Sequence, residues 1–392
     1  MPFWVCGLCT DSTGAGGEGN PVIVPVQSRL HPRTVPSILR VPLMPDSIPI
    51  AVLGASGYSG IELLRLLLRH PQANLVAVTS RQLAGRALSD EFPRFRGVGV
   101  ADSLRFTAPE VSALVQAGVK VAFLALPHGV SLQFAAPLLE AGIRVIDLSA
   151  DFRLRCAKRY AEFYDHEHPC PQWLDKAVYA LPEWRPEQIR TAQLIACPGC
   201  YPTSILLPLL PLMREGLISP EPLCISSMSG ASGAGRKESV PLLFCEVQNS
   251  LRSYSVPVHR HLSEITQELE LAAGRPVPLS FVPHLVPCHS GICSTIFARP
   301  AAGVDAAAVG EVLQRAYRSQ PFVRLLGENR SPDSKNVVGS NFIDIGWSMD
   351  QRSGQLILMS AEDNIGKGAA GQAVQNFNLC HGLAPTEGLL NI

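Results

Sequence analysis

The chain has 392 residues, of which 46% are hydrophobic and 17% charged, so it can bury a large core in two or three domains. Its 33 basic and 33 acidic side chains balance to a formal net charge of +0 without a basic cluster, which argues against nucleic acid or a membrane surface as partner and favours a small-molecule substrate. The eleven scattered cysteines indicate reduced thiols in the cytoplasm. Every apolar run is too short or too rich in Pro for a membrane helix.

Residues 1–45 are rich in Gly, Pro and Ser and carry no periodic apolar pattern. We expect a disordered or mis-annotated extension, with Met44 as the translation start. The segment lacks the basic start and apolar core of a signal peptide. Cys6 and Cys9 have the spacing of half a zinc site, but no second pair follows at a suitable distance, so no metal site is predicted.

Between residues 46 and 197, short β-rich segments alternate with helical patterns, which is typical of a parallel sheet with crossover helices. Strands are predicted at residues 48–53, 74–79, 119–125 and 144–147. Helices are predicted at residues 61–70, 109–118 and 130–141. The pattern predicts an α/β domain of the Rossmann type, a doubly wound parallel sheet that binds a dinucleotide.

The loop 54–60, Gly-Ala-Ser-Gly-Tyr-Ser-Gly, joins the first predicted strand to the first predicted helix, where a doubly wound sheet binds a pyrophosphate. Ser56 replaces the middle Gly of the usual fingerprint, so an ordinary strand-to-helix turn is the alternative. The predicted cofactor-binding residues of this loop are Gly54, Ser56, Gly57, Tyr58 and Ser59.

Ser80 and Arg81 follow the second predicted strand, where a NAD-binding domain has an acidic residue for the ribose 2′-hydroxyl. A guanidinium suits a 2′-phosphate instead, so NADP is the predicted cofactor, bound in part by these two residues. The alternative is that Arg81 is a solvated loop charge.

Cys200 lies in the segment Cys-Pro-Gly-Cys-Tyr-Pro-Thr (197–203), just before an apolar run. The Pro-Gly pair predicts a turn, and the residues after Cys200 predict the first turn of a helix. A helix N-terminus stabilises a thiolate and offers N–H groups to an oxyanion, so Cys200 is the candidate nucleophile. The alternative is a small, buried, apolar Cys.

Residues 198–361 have longer predicted strands, at 223–229, 279–285 and 291–299, with helices at 264–273 and 305–318. This pattern predicts a second, α+β domain for catalysis and oligomerisation. The last helical stretch, 367–379, belongs to a C-terminal segment, 362–392, that is expected to return to the first domain.

A second loop rich in Gly and Ser, residues 229–237, follows a strand of the second domain and ends in two cations. Its backbone N–H groups and hydroxyls are suited to bind an anion such as phosphate, whereas a flexible linker is the alternative. The residues predicted to bind substrate here are Ser229, Gly230, Ser232 and Arg236, and Gly233 is predicted to contact the cofactor.

His259 and His261 flank Arg260 on a segment that leads into a helix, and Glu264 follows close behind. Imidazole titrates near neutrality, so either histidine is suited to exchange protons with a Cys nucleophile. Glu264 is close enough to orient one of them. For each histidine taken singly, a surface or satisfied core residue is the alternative.

Over residues 48–387 the chain resembles the N-acetyl-gamma-glutamyl-phosphate reductase family, relatives of aspartate-semialdehyde dehydrogenase. The resemblance rests on the order and spacing of these segments and of two further motifs, Asp-Leu-Ser-Ala-Asp-Phe-Arg at 147–153 and Glu-Asp-Asn at 362–364. It implies NADPH-dependent reduction of an acyl phosphate in arginine biosynthesis, with Cys200 as the nucleophile and the two histidines as acid and base. It also implies Asn364 near the nicotinamide, Arg153 in the substrate pocket and a homodimer or homotetramer.

Three residues depart from the family pattern. Ser290 stands where the family usually has Arg, and Ser263 where it usually has Pro. Ser290 leaves open a longer substrate, such as N-acetylaminoadipyl phosphate or a carrier-linked homologue, or a non-catalytic NADP-binding regulator. Cys197 is the third departure, and a redox pair between Cys197 and Cys200 requires a favourable geometry.

Overall fold

The computed structural model describes residue 44, residues 46–219 and residues 221–390. Apart from Met44, the predicted extension with Cys6 and Cys9 lies outside the described residues. Within them, no helix combines the length and apolarity needed to cross a membrane.

The first half of the chain forms a seven-stranded sheet in which every strand pair is parallel. Its strands are β1 (Ile48–Leu53), β2 (Ala73–Thr79), β3 (Phe106–Thr107), β4 (Val121–Leu124), β5 (Arg144–Asp147), β6 (Ala177–Tyr179) and β7 (Leu194–Ala196). Its helices are α1 (Tyr58–Leu67), α2 (Leu88–Glu91), α3 (Val111–Gln116), α4 (Leu132–Glu140), α5 (Ala157–Tyr164) and α6 (Pro186–Thr191). The strand order β3-β2-β1-β4-β5-β7-β6 reverses beside β1, where such sheets bind ligands. The predicted Rossmann architecture is confirmed.

The second half forms a mixed seven-stranded sheet of order β12-β13-β14-β11-β8-β10-β9. Its strands are β8 (Leu223–Ser229), β9 (Arg252–Ser253), β10 (Leu279–Leu285), β11 (Ile292–Ala298), β12 (Val323–Glu328), β13 (Ile343–Asp350) and β14 (Gln355–Glu362). The helices are α7 (Cys200–Arg214), α8 (Phe244–Val247), α9 (Leu262–Ala273), α10 (Ala306–Tyr317) and α11 (Gly371–Cys380), which follows a π-helical turn, Gly366–Ala370. The predicted α+β character of this half is confirmed.

Helix α7 lies in the core of the second half, although it contains Pro208 and Pro211. Each proline removes the N–H that would bond a carbonyl one turn earlier. The hydroxyl of Ser360 donates to the Ser204 carbonyl at 2.6 Å, and the hydroxyl of Tyr317 donates to the Leu207 carbonyl. Because both orphaned carbonyls are satisfied by neighbouring elements, the helix stays intact.

Helix α11 packs on the first sheet rather than the second. Val374 and Phe377 are fully buried in the same apolar cluster as Ile50, Val52 and Leu63. The chain therefore returns to the dinucleotide-type half after it has built the second sheet.

Candidate active site

Cys200 is the first residue of α7, preceded by Gly199 in extended conformation. The segment emerges from the carboxyl end of β7, so the thiol lies at the edge of the first sheet where the second half begins. The predicted placement of Cys200 at a helix N-terminus is confirmed, and its side chain is partly exposed.

Burial nevertheless raises the pKa of the Cys200 thiol to about 12. An ionised Glu362 would raise it further, whereas the N–H of Tyr201 lowers it. The helix N-terminus alone therefore does not produce a thiolate, because desolvation outweighs it. Ionisation of Cys200 requires a base or a further hydrogen-bond donor.

His261 lies directly against the turn that presents Cys200. A Cβ placed on Gly199 would be 2.5 Å from Nε2 of His261, so only Gly fits between the imidazole and the helix start. Burial lowers the pKa of His261 well below its usual 6.5, and the neighbouring His259 lowers it further. The imidazole is therefore a neutral base at neutral pH.

His259 stands behind His261, with ring centroids 4.9 Å apart. Its Nδ1 accepts the backbone N–H of His261 at 3.1 Å, and its ring packs edge-on against Tyr201 and Tyr254. Burial lowers the pKa of His259 to about 4, with Arg260 contributing. This arrangement fixes the backbone of His261, and His261 is the histidine that lies against the turn before Cys200.

Glu264 is fully buried, and its hydrogen bonds differ from the predicted ones. Its carboxylate accepts the Gly199 N–H at 3.0 Å, the Tyr179 hydroxyl at 3.1 Å and the Arg153 guanidinium at 2.9 Å. Nε2 of His261 lies 4.0 Å away, too far for a hydrogen bond. The prediction that Glu264 orients a histidine is therefore corrected: three better donors occupy the carboxylate, and it holds the turn before Cys200.

Arg153 is 7% exposed and uses two of its nitrogens on Glu264 and on the carbonyl of Leu148. Its Nε has no partner among the described residues. The predicted substrate ligand is thus mainly engaged in a buried ion pair beside the site.

The nucleotide loop has the backbone that a phosphate requires. Gly54 has φ +79°, and a Cβ there would collide with the carbonyl of Ala125 on the neighbouring strand connection. At Gly60, a Cβ would be 2.7 Å from the Cα of Ala55, so α1 packs tightly on the loop. Gly57 precedes the first residue of α1, Tyr58, and Ser59 follows in the first turn. The open helix N-terminus and tight turn fit a dinucleotide pyrophosphate.

Ser80 ends up beside this loop, whereas Arg81 points along the surface. The Ser80 hydroxyl is 3.4 Å from that of Ser56. The exposed Arg81 donates to Gln133 at 3.4 Å. Ser80 therefore lies beside the nucleotide loop, and the role of both residues in cofactor binding stays a prediction.

The second Gly/Ser loop, residues 229–237, belongs to the second half of the chain and contacts the nucleotide loop. Arg236 donates to the carbonyl of Ser56 at 3.1 Å and lies over the Phe92 ring. Asn364 donates to the Ser232 hydroxyl at 3.0 Å and accepts the Gly291 N–H at 2.8 Å. Of the remaining predicted residues of the loop, Ser229 ends β8 and Gly230 follows it, and a Cβ on Gly233 would lie 3.5 Å from Nδ2 of Asn364. Arg236 thus contacts the nucleotide loop, and its role in substrate binding stays a prediction.

Two residues of the site were missed by the sequence predictions. Gly368, in the π-helical turn, has room for no side chain, because a Cβ would be 2.8 Å from that of Cys200. Tyr179, at the end of β6, holds Glu264. The run Gly-Lys-Gly at 366–368 is a signal for close backbone approach that was available from the sequence.

Cys197 is buried and accepts a hydrogen bond from the Asn376 amide, and it forms no disulfide with Cys200.

Two family models match the chain. Residues 49–192 match the model described as semialdehyde dehydrogenase, NAD binding domain, and residues 200–364 match semialdehyde dehydrogenase, dimerisation domain. A protein of Akkermansia muciniphila named N-acetyl-gamma-glutamyl-phosphate reductase is 56% identical over 342 residues, covering 87% of this chain and 98% of the relative. This chain belongs to the N-acetyl-gamma-glutamyl-phosphate reductase family. A relative of the same name from Desulfotalea psychrophila is 47% identical, with 87% and 98% covered.

Solved structures share the fold of this chain. Aspartate semialdehyde dehydrogenase II of Vibrio cholerae matches with a TM-score of 0.64 and 19% identity, covering 85% of this chain and 98% of that one. The Candida albicans aspartate semialdehyde dehydrogenase with NADP matches with a TM-score of 0.63 and 17% identity, covering 86% and 98%. The family is one of oxidoreductases with a nicotinamide-dinucleotide domain, as predicted.

Proposed function

We propose that this protein reduces N-acetyl-gamma-glutamyl phosphate to N-acetyl-L-glutamate 5-semialdehyde with NADPH and releases phosphate. The observation that carries the proposal is the pairing of Cys200, at the start of α7, with the neutral imidazole of His261 against Gly199. The relatives at 56% and 47% identity bear the name of this activity.

In the first step Cys200 attacks the acyl carbon while His261 accepts the thiol proton, so an S–C bond forms and the carbonyl oxygen becomes an oxyanion. Backbone N–H groups in the first turn of α7 stabilise that charge. When the carbonyl re-forms, the C–O bond to phosphate breaks, and inorganic phosphate leaves from a thioester on Cys200.

When bound, NADPH supplies the hydride that reduces the thioester carbon. His261 then gives its proton to the new oxyanion, which yields a thiohemiacetal. As His261 takes that proton back, the C–S bond breaks, and the aldehyde and the Cys200 thiolate separate. The hydrogen bond from the Gly199 N–H to Glu264 holds Cys200 beside the His261 imidazole throughout.

A preference for NADP over NAD rests on three groups near the cofactor edge. Ser80 faces Ser56, Arg81 follows β2, and Arg236 reaches the nucleotide loop from the second half. Two guanidiniums and a hydroxyl suit a 2′-phosphate better than a ribose hydroxyl. Binding titrations with NADPH and NADH measure this preference directly.

We further propose a homodimer or homotetramer built through residues 200–364, which match the dimerisation model. Exposed apolar side chains cluster in one stretch of that region, namely Val240, Leu243, Phe244, Leu251, Val256 and Val258. Such a concentration of exposed apolar side chains is typical of a covered segment, and a second copy of this chain is its proposed occupant. Light scattering of the purified protein measures the number of copies. A cytoplasmic location is proposed from the scattered cysteines, since those in the described part of the chain form no disulfide.

The activity is tested in reverse, because the acyl phosphate is labile: N-acetylglutamate semialdehyde reduces NADP at alkaline pH with and without phosphate. We expect activity that requires phosphate and that Cys200→Ser abolishes while NADP still binds. Activity without phosphate, or in the variant, contradicts the proposal. Comparison with the semialdehyde that is one methylene longer tests the effect of Ser290, since one methylene is worth about 1–3 kcal/mol of discrimination.

A further inference from the structure

Glu362, the last residue of β14, is an unpartnered carboxyl in the interior. Its side chain is fully buried, and neither oxygen has a hydrogen-bond partner among the described residues. A buried polar group without a partner is costly, so this position would be more stable with an apolar side chain. The mechanism above uses Cys200 and His261 and gives Glu362 no role.

The π-helical turn brings this carboxyl next to the nucleophile. A Cβ on Gly368 would lie 2.8 Å from Cβ of Cys200 and 3.0 Å from Oε1 of Glu362. Those two atoms are therefore at most 5.8 Å apart, because both lie that close to one point. The π-helical turn, with a glycine that admits no side chain, therefore places no side chain of its own between the two groups.

The surrounding charges leave Glu362 without compensation. Lys367 is fully buried, but it bonds Glu183 at 2.6 Å and Gln375 at 2.9 Å. The adjacent Asp363 accepts backbone N–H groups of Gly339 and Ile365. Burial raises the pKa of Glu362 well above its usual value, and Asp363 and Glu183 add to the rise while Lys367 opposes it. Lys367 therefore pairs with Glu183 and not with Glu362, and the carboxyl of Glu362 keeps its proton.

We propose that protonated Glu362 is the hydrogen-bond donor that stabilises the Cys200 thiolate. A neutral carboxylic acid in an apolar site is a strong donor to a neighbouring anion. Burial disfavours the ionised thiol, and the helix N-terminus alone does not offset this cost. The hydrogen bond from Glu362 supplies the additional stabilisation. The inference rests on the proposed role of Cys200 as nucleophile and adds Glu362 as a group that tunes it.

The test measures the rate at which iodoacetamide alkylates Cys200 between about pH 6 and 10, read by mass spectrometry of the segment that contains it. Cys200→Ser is the blank. We expect Glu362→Gln, whose amide still donates, to follow the wild-type profile. We expect Glu362→Met, which keeps the volume without a donor, to shift the profile upward by about one pH unit and to slow alkylation about tenfold at pH 8. The assay requires no turnover, so its result does not depend on whether the protein catalyses the proposed reaction.

An unchanged profile in Glu362→Met overturns the inference, and so does a shift to lower pH, which would show that Glu362 acts as an anion. Should Met not be tolerated, an infrared difference spectrum between wild type and Glu362→Gln replaces it. We expect the carbonyl stretch of a protonated carboxyl at neutral pH. Its absence overturns the inference as well.

Discussion

The nucleotide loop and the Cys200 centre place similar demands on the chain but meet them differently. The loop is one stretch of seven residues, and its requirements are backbone requirements: a positive φ at Gly54 and close packing at Gly60. The Cys200 centre brings together residues that are far apart in sequence, with Glu264 bonded to Gly199 across 65 positions. A phosphate cradle can be built locally, whereas an activated thiol needs tertiary contacts.

The nucleotide loop and the Cys200 centre also differ in their electrostatics. At the loop, a helix N-terminus and nearby cations suffice to attract an anion. At Cys200 burial outweighs the helix N-terminus. In our proposal, ionisation of the thiol therefore depends on His261 as base and Glu362 as hydrogen-bond donor. Substitutions at the Cys200 centre are therefore expected to change rate and stability strongly, and substitutions at the loop to change cofactor binding.

The largest effect is expected for His261→Gln, which removes the base beside the nucleophile. We expect kcat/KM to fall by about 10²–10⁴-fold. Since the active form is the neutral imidazole and its pKa is lowered, the wild-type activity should persist as pH falls through 6.5 and drop only below it. Steady-state rates across pH measure both. An acid limb centred near 6.5 would place the acid and base role on another group.

Glu264→Gln is expected to lower the free energy of unfolding by about 3–5 kcal/mol, because it leaves Arg153 buried without its partner. The matched control is Glu270→Gln, which breaks the partly exposed pair with Arg159 and should cost at most about 1 kcal/mol. Urea unfolding of both variants gives the comparison. Equal losses of unfolding free energy would contradict the prediction that breaking the buried Glu264–Arg153 pair costs more than breaking the exposed one.

Gly54→Ala tests the loop. The substitution strains a positive φ and drives a methyl into the Ala125 carbonyl, so NADP affinity should fall at a cost of about 1–3 kcal/mol. Gly85→Ala is the control, since Gly85 has a similar φ of +87° but open space around it. Isothermal titration with NADP separates them. Wild-type affinity in Gly54→Ala would contradict the cradle.

An effect no larger than that of Gly54→Ala is expected within helix α7. Ser360→Ala and Tyr317→Phe each leave a proline-orphaned carbonyl of α7 unsatisfied and should destabilise the protein by about 1–3 kcal/mol. Ser353→Ala, at an exposed turn, is the control for loss of a hydroxyl. Thermal unfolding measures the three. No difference from the control would show that water satisfies these carbonyls.

Much of the fold could be predicted from the sequence. Strands β1, β5, β8 and β10 have the predicted bounds, because β-rich apolar segments between turn residues define them locally. The partners of Glu264 could not be predicted, since spacing placed it near the histidines while tertiary packing delivered Arg153 and Tyr179. The raised pKa of Cys200 escaped prediction for the same reason: burial at a helix start depends on what packs over it.

The most direct test of the account is to trap the covalent intermediate. Semialdehyde and NADP are mixed with the enzyme without phosphate, so that hydride leaves but the thioester is not released. Mass spectrometry should then show an N-acetylglutamyl adduct on Cys200, lost when phosphate is added and absent in Cys200→Ser. An adduct on another residue, or rapid turnover without any adduct, would contradict the central claim.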